Sequence, residues 1–229
     1  MVHQQHFNFQ WCFWALFFAT PLAAPAQNIH QQLYWIRQTL RLNLRPQWVL
    51  LLEVDERRAI RPDRQAQFIA HAQVQRRVGA HWTLSLLQSF SSVTRNGLDI
   101  PEWRPSQEAL WVQPLWPRWS LWGRLRIEQR WLHRNDGKVL TDGYQFRLRF
   151  RYRLQGEWRA NPRWLFRCND EFMHHHDGFD QNRIYLSATR RLHQHCSAEL
   201  GCLKVLQRRN NNPGLLDQDV LRFTLHWVY

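Results

Sequence analysis

Four arginines at alternate positions, Arg147, Arg149, Arg151 and Arg153, carry the most pronounced chemistry in the chain. A guanidinium stays charged at any physiological pH and grips carboxylates or phosphates through paired N–H donors. A row of them is therefore a device for ion pairing or for holding anions. Between and beside them stand Tyr144, Phe146, Leu148, Phe150, Tyr152 and Leu154, all large and apolar. A period of two is that of a strand, with one apolar face and one cationic face; a helix would spread these arginines around its whole circumference. The apolar face needs a cover. In a soluble sandwich that cover is a second sheet, and in a membrane it is lipid around a closed barrel with the arginines inside.

The same alternation recurs along the chain. Gln47–Arg57 sends Trp48, Leu50, Leu52 and Val54 one way and Glu53, Asp55 and Arg57 the other. Trp119–Leu132 presents Arg124, Arg126, Glu128 and Arg130 on one face. Arg167, Asn169 and Glu171, then Asn182 and Arg183, then Glu199, continue the charged side in later segments. We read these as a lumen network. Charges in such number must pair or remain hydrated. Pairing about the loop centres predicts Glu128 opposite Arg147 or Arg149, Glu171 between Arg147 and Arg183, and Glu199 opposite His226. The lumen is then either filled by its own salt-bridged side chains or, through its arginine surplus, open to anions.

Eleven alternating segments follow residue 32: Leu33–Leu44, Gln47–Arg57, Gln65–Val78, His81–Val93, Gln107–Trp116, Trp119–Leu132, Gly143–Leu154, Arg163–Met173, Phe179–Leu192, Cys196–Gln207 and Asp217–Tyr229. Bacterial single-chain barrels have even strand numbers. Either Gln27–Gln32 adds a short strand or one segment is not a full one, so the expectation is an all-β, closed, antiparallel up-and-down transmembrane barrel of about 10–12 strands. Connections alternate between short and long, which places 58–64, 94–105, 133–142, 174–178 and 208–216 at the outer rim. Trp48, Trp82, Trp119 and Trp164 each open a segment after a short turn, so they share the opposite rim as an aromatic girdle.

The chain has 229 residues and a net charge of +13, with 14 Trp and 13 Phe. Its mean hydropathy is low, which a barrel permits because only every second residue need be apolar. Trp11–Thr20 is a short apolar run followed by Pro21 to Ala26, small residues of a cleavage site. We assign residues 1–26 as a signal peptide and 27–229 as the barrel domain, although the segment before the apolar run holds His3 and His6 and no Lys or Arg. No cysteine follows the small residues, so no lipid anchor is expected. Cys168, Cys196 and Cys202 read as small hydrophobes on the lipid side; the last two lie about 20 Å apart on one strand, beyond disulfide reach. The final segment ends in Trp227 and Tyr229, resembling the carboxy-terminal signal read by the bacterial barrel-assembly machinery, with Arg222 and Thr224 (usually glycine) at its other positions.

The basic pI of about 10.9 suggests nucleic acid, but the arginines lie on strand faces opposite apolar ones with no recognition helix or stacking motif, so none is expected as a partner. Outer-membrane lipid and lipopolysaccharide are the expected electrostatic partners. His174-His175-His176-Asp177 is the one metal-like run, read as an adventitious binder in an outer loop; no metal or cofactor is expected. A lipid- or lipopolysaccharide-modifying enzyme is the alternative function. Ser89, Ser91, His71 and Glu171 are available for it, but their spacing shows no catalytic constellation.

Asn169-Asp170-Glu171-Phe172, the run Phe179 to Tyr185 (FDQNRIY) and Ala198 to Leu203 (AELGCL), with the aromatic end, resemble the bacterial domain-of-unknown-function family 2490. The matching positions are Asn169 and Glu171, Asn182, Arg183 and Tyr185, and Glu199 to Gly201, with Cys202 where an aromatic is usual. The resemblance implies an outer-membrane β-barrel reached through the periplasm, and supplies no substrate.

Overall fold

The computed structural model describes residues 29–95, 97–209 and 214–229; the signal-peptide assignment lies outside them. Among the described residues the chain forms eleven strands: β1 (Ile29–Arg45), β2 (Trp48–Ala59), β3 (Arg64–Val78), β4 (Trp82–Arg95), β5 (Leu98–Trp116), β6 (Trp119–Asn135), β7 (Leu140–Asn161), β8 (Trp164–His175), β9 (Gly178–His193), β10 (Cys196–Arg208) and β11 (Leu215–Val228). Each pairs antiparallel with the next, and the sheet closes into a barrel where β1 meets β11. No described helix is long and apolar enough to cross a membrane.

The closing pair is parallel, running from Ile29 opposite Leu216 to Arg41 opposite Val228. Strands that alternate direction return to the starting direction at an odd number, so eleven can close only this way. This corrects the expectation of an even count. Ile29–Gln32 extend β1 and add no strand of their own. Beyond the last residue of the ladder, Tyr229 N donates to Arg41 O and Asn43 N donates to Tyr229 O, both at 2.8 Å.

Strand alternation sorts the side chains as the pattern requires. Leu84, Leu86, Leu125, Phe146, Leu186 and Leu200 point outward and are exposed, whereas Asp55, Glu102, Glu128 and Glu199 point inward and are buried. Trp48, Trp82, Trp119 and Trp164 are the first residues of β2, β4, β6 and β8, so all four stand at one rim. Trp119 stacks on Trp158 there, with ring centroids 5.8 Å apart.

At the other rim the strands are taller than expected. Most of 94–105 is strand and not loop: Arg95 pairs with Leu98, and Gly97 takes φ +81°, the left-handed conformation that tight hairpin turns use. Pro101 and Pro105 masked this strand in the sequence. β5 absorbs them through full pairing with β4, while its ladder with β6 skips Arg104 and Pro105, where proline has no N–H to give. Likewise most of 133–142 is strand, and β7 reaches 22 residues. His174 and His175 belong to β8, not to a loop.

Candidate functional site

The lumen is built by the inward parity of all eleven described strands, and its two sides differ. On β5 to β8 it is a ladder of charges. Glu102 is fully buried and receives Arg104 Nη2 at 2.8 Å and Arg130 Nε at 2.5 Å. Glu108 receives Arg126 Nη2 at 2.5 Å, with Arg124 at 3.7 Å. Glu128 sits directly across from Arg149, as expected, and holds both Arg149 at 2.5 Å and Arg151 at 2.7 Å. Arg126 lies 3.8 Å from it. Glu171 binds Arg151 Nη2 at 2.9 Å and Arg124 Nη2. Each of these four carboxylates thus lies between two guanidiniums, and Arg124, Arg126 and Arg151 each lie between two carboxylates. Such sharing satisfies the lone pairs that an isolated buried carboxylate would leave bare.

Across the lumen, β9, β10, β11 and β1 place an apolar cluster among their charges. Leu33, Trp35, Tyr185, Leu203, Val205 and Val220 pack as one buried cluster facing inward. Arg57 lies over the Trp35 ring at 3.9 Å from its centroid and Arg222 over Tyr185 at 3.8 Å, so cations of the network cap the aromatic faces. Tyr185 donates its hydroxyl to Glu199, which also holds Arg167 and, at 2.9 Å, Arg222. Gly201 makes this possible: a Cβ there would lie 2.3 Å from the Tyr185 ring. Two of the sequence motifs, Arg183 to Tyr185 and Glu199 to Gly201, are therefore one structural unit, a tyrosine laid flat over a glycine to reach a carboxylate.

Glu53 and Asp55 complete the circle on β2. Arg37 bridges them, with Nε 3.3 Å from Glu53 and Nη2 2.8 Å from Asp55, and Arg57 adds a second partner to Asp55 at 2.9 Å. Asn169 points inward and donates to Gln155 Oε1 at 3.4 Å.

Several expected placements differ. Asn182 is not in the lumen: it is on the outward parity of β9 and donates to Asp170 Oδ1 at 2.6 Å on the outer face. Glu171 makes no ion pair with Arg147 or Arg183 among the described residues. β7 runs on to a two-residue turn at 162–163, which moves its register by six residues and puts Arg153, not Arg147, across from Glu171. Arg183 does lie across from Glu171 on β9, but its Nε donates to Gln181 Oε1 at 3.1 Å. Arg147 stands near the rim, half-buried, and donates to Gln145. Glu199 is opposite Thr224, with His226 Nε2 diagonally at 3.4 Å.

The sequence reading missed Glu102, Arg104, Glu108 and Glu157. The first two were hidden by the prolines, although Asn96-Gly97 was a hairpin signal that could have revealed them. The histidine run is split by strand alternation. His174 faces outward, stacked on Phe150 and Tyr152, while His175 faces inward at 3.5 Å from Asp180. Among the described residues no three His, Cys, Asp or Glu gather as metal ligands. Cys168, Cys196 and Cys202 are free thiols. The arrangement nearest to a hydrolytic relay is Thr39 Oγ1 at 2.8 Å from His226 Nδ1, but the Thr39 hydroxyl also reaches Leu225 O, and Glu199 is already held by Arg167 and Arg222. Ser91 is occupied as a donor to Glu102.

One cavity of about 980 Å³ runs through the lumen, with Arg64 and Arg95 toward one rim and Trp122 and His226 toward the other. Sixteen arginines and five glutamates line it. Asp55, Glu102 and Glu128 lie behind their arginines and do not reach its surface.

No curated protein matches this sequence. Among solved structures, the NanC porin is similar in fold, with TM-score 0.56 at 8% identity over 84% of this chain and 96% of that one. The siderophore receptor PirA from Pseudomonas aeruginosa aligns at TM-score 0.39 and 11% identity, over 73% of this chain and 33% of that one. The barrel is thus porin-like in fold. The family described as Protein of unknown function (DUF2490) matches residues 32–215, most of the barrel together with the Tyr185–Gly201–Glu199 unit, and the chain belongs to that family.

Proposed function

We propose that this protein is a non-enzymatic outer-membrane barrel whose lumen is a narrow passage favouring anions. The observation that carries the reading is the sign of the cavity wall, on which arginines outnumber glutamates by sixteen to five. A low-dielectric shell around a charged channel focuses that field on whatever enters, concentrating anions and excluding cations. The membrane location is supported by the outward band, where Leu84, Leu86, Leu186, Leu200 and Leu221 are all at least half exposed and the rim tryptophans stand at one level. Lipid matches such a band, and water does not. Lipopolysaccharide is the expected neighbour at the outer rim, where Arg61, Arg64 and Arg134 are placed.

The test is the current through the purified barrel in a planar bilayer under a potassium chloride gradient. Discrete conductance steps with a reversal potential on the chloride side are expected. A silent barrel, or one with cation preference, overturns the reading.

A further inference from the structure

Beside Glu171 the charge network of the described residues leaves the guanidiniums of two neighbours without a carboxylate. Arg153 on β7 and Arg183 on β9 lie directly to either side of Glu171 on β8. Glu171 is already taken, by Arg124 and Arg151. Among the described residues Arg153 forms no ion pair, and its Nε is buried with no hydrogen-bond partner. Arg183 spends Nε on Gln181 and sits 5.4 Å from the centroid of Trp35, which leaves both of its Nη groups without an acceptor there. Both arginines line the cavity. Their α-carbons are two strand spacings apart, about 10 Å, and side chains entering a barrel from that spacing converge.

A buried cation without a partner is unfavourable unless water or an anion completes it. The two forks differ in what they can share. A carboxylate can be shared between two guanidiniums, as Glu128 and Glu171 are, but has only one pair of oxygens to hold a guanidinium bidentately, whereas a phosphate presents three or more oxygens and can hold two guanidiniums through a pair each. We propose that Arg153 and Arg183 form a binding site for a phosphate group on the lumen wall. Glu171 does not repel it, because Arg124 and Arg151 already neutralise that carboxylate. The site deepens the anion-favouring reading of the lumen and rests on it.

Calorimetric titration of inorganic phosphate into the folded barrel in zwitterionic detergent, at constant ionic strength in chloride, tests the site. Saturable binding of one phosphate per barrel is expected, with acetate much weaker. Arg153→Gln and Arg183→Gln should each lower phosphate affinity about tenfold or more while the barrel keeps its heat-dependent gel mobility. Arg190→Gln, on the outer face beside Trp164 at 5.6 Å, should bind as the wild type does. Phosphate should also raise the heat-modification temperature of the wild type and not of the two lumen variants. Tighter binding of glycerol 3-phosphate than of the free ion assigns the site to an organophosphate, and weaker binding to inorganic phosphate; either supports it. The site is overturned if the folded wild type shows no saturable binding, if acetate binds as tightly, or if both lumen variants titrate like the wild type. Anion-favouring conductance without phosphate saturation removes the site and keeps the passage; saturation in a silent barrel does the reverse.

Discussion

The two walls of the lumen solve the same problem in opposite ways. Both must fill the inward face of a closed sheet. On β9, β10, β11 and β1 an apolar cluster supplies much of the filling, and Leu33, Trp35, Tyr185, Leu203, Val205 and Val220 bury one another beside Arg37, Arg183, Glu199 and Arg222. On β5 to β8 it is ionic, and Glu102, Glu108, Glu128 and Glu171 are each shared between arginines. Apolar packing depends on fit and on no single partner, because dispersion and burial are non-directional. A charge ladder depends on each partner, since removing one member strands the others. The apolar cluster lines the seam, while the arginines that give the cavity its sign come from both sides, eight of the sixteen from β5 to β8.

The comparison breaks most completely at the seam itself. Deleting Trp227–Tyr229 removes the backbone bonds from Tyr229 to Arg41 and Asn43 and the last rungs of the parallel ladder. The exported chain should fail to close and become sensitive to periplasmic protease, as immunoblots of fractionated cells would show. A closed, protease-resistant barrel from that deletion would mean that the parallel pair needs no terminal anchor.

Next in size is the ionic wall. Glu128→Gln leaves Arg149 and Arg151 without a shared carboxylate, and should destabilise the barrel by about 3–5 kcal/mol. Its heat-modification temperature should fall well below that of Glu56→Gln, whose carboxylate is near the rim and accepts from Gln65. Equal temperatures would show that the ladder is hydrated and contributes little.

On the apolar wall a single methyl group should matter. Gly201→Ala drives a Cβ into the Tyr185 ring and forces its hydroxyl away from Glu199, at about 1–3 kcal/mol. A Gly201→Ala, Tyr185→Phe double-mutant cycle measures the coupling. Strict additivity would mean that the ring relocates freely.

Arg153→Gln should leave stability unchanged or slightly higher, because it removes a cation without an ion pair. A loss comparable to that of Glu128→Gln would place Arg153 inside the ladder. The smallest effect belongs to the loop between β6 and β7. There Asp136 Oδ1 accepts from Val139 N at 2.9 Å and Lys138 N at 2.8 Å, which holds its carboxyl below the usual range. A depressed folded value means that the contribution is present above the ordinary carboxylate range and is lost as pH falls through the folded value. Asp136→Ala should leave the thermal midpoint at neutral pH nearly unchanged, as surface substitutions do.

The alternation of apolar and charged residues by itself determined that these segments are strands, which side chains face inward, and that the lumen is basic. Period two leaves no other geometry for Arg147 to Arg153, and the short turns at Pro46, Pro117 and Pro162 fixed which rim the tryptophans share. What parity cannot encode is register. A shift of two residues keeps every charge inside and changes every partner, which is why the sequence leaves Glu128 opposite either Arg147 or Arg149, and why it puts Arg147 beside Glu171 where β7 brings Arg153. That Asn182 faces outward follows from its place beside Arg183 on β9, but the parallel closure, the strand through Pro101 and Pro105, and the unshared guanidiniums of Arg153 and Arg183 are properties of the closed sheet. They depend on how far each strand runs before it turns and on which neighbours curvature brings together across the lumen, and both are set only once all eleven described strands are in place.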